Sequence, residues 1–361
     1  MLNYEYPPVG GGTANACRYV LRELGKRDLE VDLVTSSPGR YREEEEFDGV
    51  NVFRLDVGKD DLHHWKSLEI ARYMVKGLAK SLKLKRSRNY DLVHAWTGFP
   101  CGVMARVLRI PYLVSLRGSD VPGYSERLSN IYPFLKPLIK YTWQSAEAVV
   151  PNSRDLKELA RETLELRMPI VRNGIDTTEF QPMYEDKGEK LQVLTVARLV
   201  ERKRVQDVIE AVKDIDVSLT VVGEGPMREK LQGLSDSLGA GDKVEFKGQI
   251  DHGKMPEVYQ NADIFVLPSL KEGMSNTVLE AMASGLPVIV TETGGSEELI
   301  NGNGSLVPKK SPGEIKKILK QYMKNPEKVH EEGKVSRRKA EDMSWQQVSE
   351  RYLELYRSCC R

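Results

Sequence analysis

No run of about 18 apolar residues occurs in this chain, so the sequence offers no bilayer-spanning helix, and no signal-peptide pattern opens it. Cysteine is scarce. Cys17, Cys101 and the adjacent Cys359 and Cys360 show neither metal-ligand spacing nor a disulfide framework, which points to a reducing compartment. Neither sign of charge dominates, with 54 basic against 53 acidic residues, so overall charge suggests no nucleic-acid partner while leaving room for a local basic patch. No fixed-period repeat or low-complexity tract is present. The chain does have length, 361 residues at 40% hydrophobic, enough for two α/β domains with cores of their own.

Apolar strand-like runs alternate with helical periodicity throughout, which predicts parallel sheets with crossover helices. In the first half the pattern predicts helices over Thr13–Lys26, Leu62–Ser87 and Arg154–Thr163, the last capped by Ser153, and strands over Val31–Ser36, Leu92–Ala95, Tyr112–Leu116 and Ala148–Pro151. The polar stretch Tyr184–Lys190 reads as a linker, after which the alternation restarts. It gives strands at Gln192–Ala197, Ser218–Val222, Val244–Lys247, Ile264–Leu267 and Val288–Thr291, with helices at Val205–Val212, Met227–Leu238, Met255–Asn261 and Asn276–Ser284. A last helix covers Ser344–Ser358.

The most informative stretch is 270–284, where Glu272 precedes a predicted helix and Glu280 follows eight positions later inside it. Between them Ser275, Asn276 and Thr277 form a small, polar helix entrance. Backbone N–H groups and the positive end of the helix dipole suit such an entrance to a phosphate. Glu280, about a turn and a half further in, is positioned to accept from ribose hydroxyls, and Glu272 to meet a sugar on that phosphate. Elsewhere, Arg198 and Lys203 follow a strand five positions apart, a spacing that lets an arginine fork and a lysine point charge converge on one diphosphate. A solvated basic loop is the alternative, and Arg202 and Arg204 fit it better. Gly223 and Gly225 lie between a strand and a helix, where close backbone approach or simply a tight turn explains them, and Arg228 breaks the full dinucleotide-binding glycine pattern. Gly10, Gly11 and Gly12 precede the first helix in the same manner.

The segment from Glu272 to Val290 resembles the paired-glutamate motif of glycosyltransferase family 4, and the other loops match that family in order from Tyr6 to about Ile300. The resemblance implies an α/β GT-B architecture, two Rossmann-like domains with parallel sheets facing across a cleft. Residues 1–183 would form the acceptor-side domain, 184–343 the donor-binding domain, and the helix at 344–361 would pack back on the first. It also implies that Met1–Pro8 holds the end of a short first strand. Arg198 and Lys203 would stabilise the departing nucleotide diphosphate without a metal and Glu272 would orient the sugar. Gly11, Gly12, Gly223, Gly225, Ser275, Asn276, Thr277 and Glu280 would line the donor site. Arg117 stands where many members carry a histidine. Its permanent charge excludes proton transfer and leaves an anion anchor, a pairing with Asp120, or a structural role. His94 is either a cleft residue or a core histidine. Asn173-Gly174-Ile175-Asp176 matches a structural turn and Gly294-Gly295 a pocket edge.

The activity expected is retaining transfer of a hexosyl-type sugar from a nucleotide-sugar donor (UDP- or GDP-linked), with no cofactor, to a sugar or lipid-linked hydroxyl acceptor. A nucleotide-sugar epimerase on the same fold and a non-catalytic sugar-nucleotide-binding protein are the alternatives. Lys76, Lys80, Lys83, Lys85, Arg86 and Arg88 cluster in one helical segment, and residues 131–143 interleave aromatics with lysines. Both can face an anionic membrane surface, making a cytoplasmic protein peripheral at the inner membrane face. A solvated basic face with a buried aromatic helix is the alternative.

Overall fold

The computed structural model describes residues 1–39, 44–47, 49–59, 61, 65–124, 132–183, 190–272 and 274–360. Leu62, Ile131, Gly273 and residues 184–189 of the expected linker lie outside them. The chain divides into two compact units, Met1–Asn173 with Trp345–Arg361, and Gly174–Ser344. The division falls at Asn173, ahead of the expected boundary after Met183, because the intervening residues are tied to the second unit. Ile175 N donates to Met343 O at 2.9 Å, and the Arg337 guanidinium donates to the carbonyls of Thr177 and Phe180 at 3.1 and 2.8 Å. Within that turn Asp176 accepts from Thr178 N at 3.0 Å and Glu179 N at 3.2 Å, as an aspartate in a turn should.

In the first unit, β1 (Val31–Ser37) pairs in parallel with β3 (Val50–Asp56), which pairs antiparallel with β2 (Glu44–Phe47). The strands β4 (Val93–Ala95), β5 (Tyr112–Leu116) and β6 (Ala148–Pro151) form a second parallel set. Leu2 joins the two sets by bridging Val34 and Ala95 in parallel. The expected first strand is thus reduced to one bridged residue. β2 and β3 were not anticipated from the sequence. The last helix, Trp345–Cys359, belongs to this unit. It buries Trp345, Val348, Ser349, Tyr352 and Leu353, a single face at helical spacing, and Trp345 stacks on Tyr19 with ring centroids 5.2 Å apart.

The second unit holds β7 (Leu191–Val196), β8 (Val217–Val222), β9 (Val244–Gly248), β10 (Ile264–Leu267), β11 (Val288–Thr291) and β12 (Gly304–Val307). All pairings are parallel, in the order β12-β11-β10-β7-β8-β9. Strand alternation sorts the core onto two faces. Val193, Ile264, Val266 and Ile289 pack into one cluster, and Leu194, Phe265, Leu267, Val288 and Val290 into another. A parallel sheet with helices on both faces requires such two-sided burial, and it explains why its strands read as unbroken apolar runs.

Candidate active site

The chain leaves β7 for β8 and β9 on one side, then crosses to β10 on the other. Strand order therefore reverses between β7 and β10, and open α/β sheets bind ligands outside the carboxyl ends of strands at such a reversal. The loops following these two strands carry the predicted charged residues. After β7 the chain forms a short 3-10 turn, Glu201–Lys203, then the helix Val205–Val212. Arg204, between them, adopts a left-handed conformation (φ 54°) and forks onto Asp207 at 3.0 and 2.5 Å. Asp207 is buried, so Arg204 is a structural cation. Leu270 N donates to Arg202 O at 2.8 Å and laces the loop after β10 to that turn. This stitch brings the Lys203 ammonium onto the Glu272 carboxylate, two residues 69 apart in sequence, with side chains only 13% and 10% exposed. Glu272 takes one of the three N–H donors that an ammonium carries.

Arg198 is exposed on the preceding loop. That loop is fixed by backbone bonds, Ala197 N to Val222 O at 3.0 Å and Leu199 N to Glu224 O at 2.8 Å. Gly223 (φ 129°) and Gly225 (φ 157°) make the approach possible. A Cβ on Gly223 would stand 1.9 Å from Ala197 O, and one on Gly225 2.3 Å from Leu199 O. The sequence suggests that these glycines make way for a ligand. The structure shows them making way for the chain's own Arg198-bearing loop.

The helix Asn276–Ala283 opens at Ser275, whose hydroxyl meets Thr277 Oγ1 at 3.1 Å and makes no side-chain cap bond to the helix. Its apolar face, including Val278, Leu279 and Met282, is buried. Glu280 lies on the other side, largely buried, accepting from the Tyr259 hydroxyl at 2.7 Å. His252 stands 4.0 Å from its second oxygen and 3.4 Å from Glu179. Burial pushes the Glu280 carboxyl up to about 7, against the opposing pull of the Tyr259 hydrogen bond and His252. Tyr259, His252 and Glu179 were not singled out from the sequence. They lie 21, 28 and 101 residues from Glu280, and no local spacing links them.

A carboxyl whose folded pKa lies above its unfolded value binds more protons in the folded state. Stability from this group is therefore highest below the unfolded pKa of about 4.5 and falls until the pH passes about 7. Glu280→Gln is expected to unfold at higher denaturant concentration than the parent at pH 8 and to lose that advantage at pH 4.5. Parallel urea titrations at the two pH values measure it, and an advantage independent of pH would contradict the assignment.

In the first unit Gly11 and Gly12 are exposed at the start of the helix Gly12–Gly25, and a Cβ on Gly11 would meet nothing within 4 Å. Arg117 does not pair with Asp120 through its side chain; its backbone N–H donates to that carboxylate at 2.9 Å. The guanidinium donates to Asn173 Oδ1 at 2.7 Å and Tyr352 OH at 2.9 Å and lies over the Trp96 ring at 4.4 Å. These contacts give it a structural role in the unit's core. His94 is buried in the first unit. Its ring nitrogens meet Tyr356 OH and Ser115 Oγ, both at 2.7 Å, and burial followed by the nearby Arg117 charge holds its pKa well below the ordinary value. Gly294 and Gly295 open a four-residue helix after β11.

The description "Glycosyl transferases group 1" matches residues 176–339 and "Glycosyltransferase Family 4" matches residues 10–179. The chain is 30% identical over 346 residues to an uncharacterized glycosyltransferase, MJ1607, of Methanocaldococcus jannaschii, covering 87% of this chain and 86% of that protein. It therefore belongs to the family 4 glycosyltransferases, and its two Rossmann-like units are those of the GT-B fold. Among solved structures it is similar to sucrose-phosphate synthase (tll1590) from Thermosynechococcus elongatus (TM-score 0.84, 22% identity, 96% of this chain and 93% of that one). It is also similar to Anabaena HepE (Alr3699) in complex with UDP-glucose (TM-score 0.75, 17% identity, 98% and 97%).

Proposed function

We propose that this glycosyltransferase moves a hexosyl unit from a nucleoside-diphosphate sugar to a hydroxyl acceptor with retention of configuration. The observation that carries the reading is the stitch between the loops after β7 and β10, which holds Lys203 against Glu272 where the strand order reverses. That Anabaena HepE was solved with UDP-glucose supports a uridine nucleotide as the first donor to test.

In this reading the diphosphate lies across Arg198, Lys203 and the helix entrance at Ser275, Asn276 and Thr277, where cations and backbone dipoles stabilise the charge of the leaving group. No metal is needed for that stabilisation. Glu272 shares Lys203 with the phosphate and orients the sugar, while Glu280 accepts from the ribose. Gly223 and Gly225 act indirectly, by seating the Arg198 loop, and Gly11 and Gly12 offer exposed helix-start N–H groups in the first unit. The bond between the anomeric carbon and the phosphate oxygen breaks with its electron pair leaving on the diphosphate. The acceptor hydroxyl bonds to the same face of that carbon and its proton passes to the departing phosphate oxygen. The acceptor is a sugar or a lipid-linked glycan precursor. All four cysteines are free thiols, which supports a cytoplasmic setting.

Uridine diphosphate is expected to raise the melting temperature more than guanosine or adenosine diphosphate does, by mass action on the folded state. Donor turnover in the presence of an accepting hydroxyl is then expected to give a product whose anomeric NMR coupling matches that of the donor. An inverted product, or donor release indifferent to any acceptor, would remove the reading.

A further inference from the structure

Three helices of the first unit, Ser67–Ser87, Val103–Leu108 and Tyr132–Gln144, pack side by side, the first against the second and the second against the third. They carry seven of the nine large exposed hydrophobic residues found among the described residues: Leu68, Val75 and Leu82; Val107; and Phe134, Leu138 and Tyr141. Spacings of seven on the first helix, and of four and three on the last, put each set on one face of its helix. Phe134 is 84% exposed and Val75 71%, so the fold itself leaves these side chains in water. The same three helices hold nine lysines and arginines and a single carboxylate, Glu69, which is buried and bonded to Lys59 at 3.4 Å.

Four members of the basic cluster are engaged within the protein. Lys76 and Lys85 donate to the carbonyls of Asp56 and Leu108, Lys80 pairs with Glu44, and Arg88 pairs with Asp32. Bonds to neutral carbonyls leave the charge of Lys76 and Lys85 uncompensated. Lys83 and Arg86 are exposed next to the apolar stripe of the first helix, and Lys136 and Lys140 are exposed on the flank of the third, from where their long side chains can reach toward the interface. Glu44, exposed on β2, is the acid beside this face and is taken up by Lys80; the three helices themselves expose no acid, so an apolar layer bordered by an excess of cations is complementary to a bilayer interface of negative surface charge.

We propose that this three-helix face docks the protein on an anionic lipid surface, with Phe134, Leu138, Val75 and Leu82 entering the headgroup boundary and Lys83, Arg86, Lys136 and Lys140 meeting lipid phosphates. The docking rests on the face alone and does not depend on the identity of donor or acceptor.

Flotation of the full chain with vesicles of phosphatidylcholine alone, or with about one third phosphatidylglycerol, tests it. The parent is expected to float with the anionic vesicles at low salt, to stay behind with the neutral ones, and to release as salt rises. Reversing Lys83, Arg86, Lys136 and Lys140 to glutamate is expected to lower partitioning at least about a hundredfold. V75S with F134S is expected to lower it about tenfold while keeping the salt dependence. Lys320→Glu with Lys324→Glu, exposed on a lysine-rich helix of the second unit, is expected to change nothing. Circular dichroism confirms that each variant is folded. Failure of the parent to float with anionic vesicles overturns the proposal. So does equal loss in the Lys320/Lys324 variant, or a concentration-dependent dimer abolished by F134S without any vesicle binding, which would assign the face to a second copy of the chain.

Discussion

Arg198→Ala is expected to lower donor turnover at least about a hundredfold while leaving the folded state untouched. The side chain is exposed on a loop fixed through backbone hydrogen bonds, so its removal opens no cavity in the core. Substitutions of that kind change stability by about 0.5 kcal/mol or less. In the proposed mechanism, what is lost is a cationic fork directed at charge that develops only as the sugar–phosphate bond breaks. Removing one such contact commonly costs about 3–4 kcal/mol in the transition state, which is where the hundredfold comes from. The loss is expected in kcat, with donor KM changing less, because the bond strengthens as charge accumulates on the leaving group. Cys360→Ala, an exposed thiol in the tail, is the matched control and is expected to turn over donor at the parental rate. Equal kcat for Arg198→Ala and the parent would remove Arg198 from the site.

The second large effect is expected from Gly223→Ala, and it acts on fold and activity together. At φ 129° the backbone is in a region that L side chains rarely adopt, and the added methyl would overlap the Ala197 carbonyl oxygen at 1.9 Å. Strain of this sort costs about 1–3 kcal/mol before the overlap is relieved. A total destabilisation of about 2–4 kcal/mol is therefore expected in chemical denaturation. Relief requires the Ala197–Leu199 segment to move, and Arg198 moves with it, so turnover is expected to fall about a hundredfold even at temperatures where the variant remains folded. Gly233→Ala separates this from a general effect of glycine replacement. Gly233 lies inside the helix Arg228–Ser237 with nothing within 4 Å of its added Cβ, and the change is expected to stabilise by about 0.5–1 kcal/mol. If both variants behave alike, the close approach of the two loops is not what fixes Gly223.

The elements that were legible in the sequence are those whose burial is local in pattern. Tyr112–Leu116, Ile264–Leu267 and Val288–Thr291 are apolar runs buried on both faces and were read to the residue; so was the helix Val205–Val212. β2 was missed because Glu44, Glu45 and Glu46 carry no apolar alternation; the strand exists through its pairing with β3, a contact that no window of sequence contains. The same limit governs the site. The charged residues were recognisable as types on loops after strands, but the meeting of Lys203 with Glu272 depends on strand order, and the Tyr259 hydroxyl on Glu280 depends on helix packing. Arg117 and His94 were legible only as alternatives, and the structure selects the structural one for each. A polar residue near a strand end fits chemistry and burial equally in a window of sequence; Tyr352 and Tyr356 of the last helix decide it by supplying hydroxyls to them inside a core.

That last helix also sets an order of assembly during synthesis. The second unit is one continuous stretch, Gly174–Ser344, whereas the first is complete only with Trp345–Arg361. As the polypeptide emerges from the ribosome, the later unit is therefore the earlier one to possess all of its parts. Until residues 345–361 appear, the polar groups of His94, Ser115 and Arg117 lack their tyrosine partners. The nascent first unit must wait, incompletely closed, until this helix has emerged.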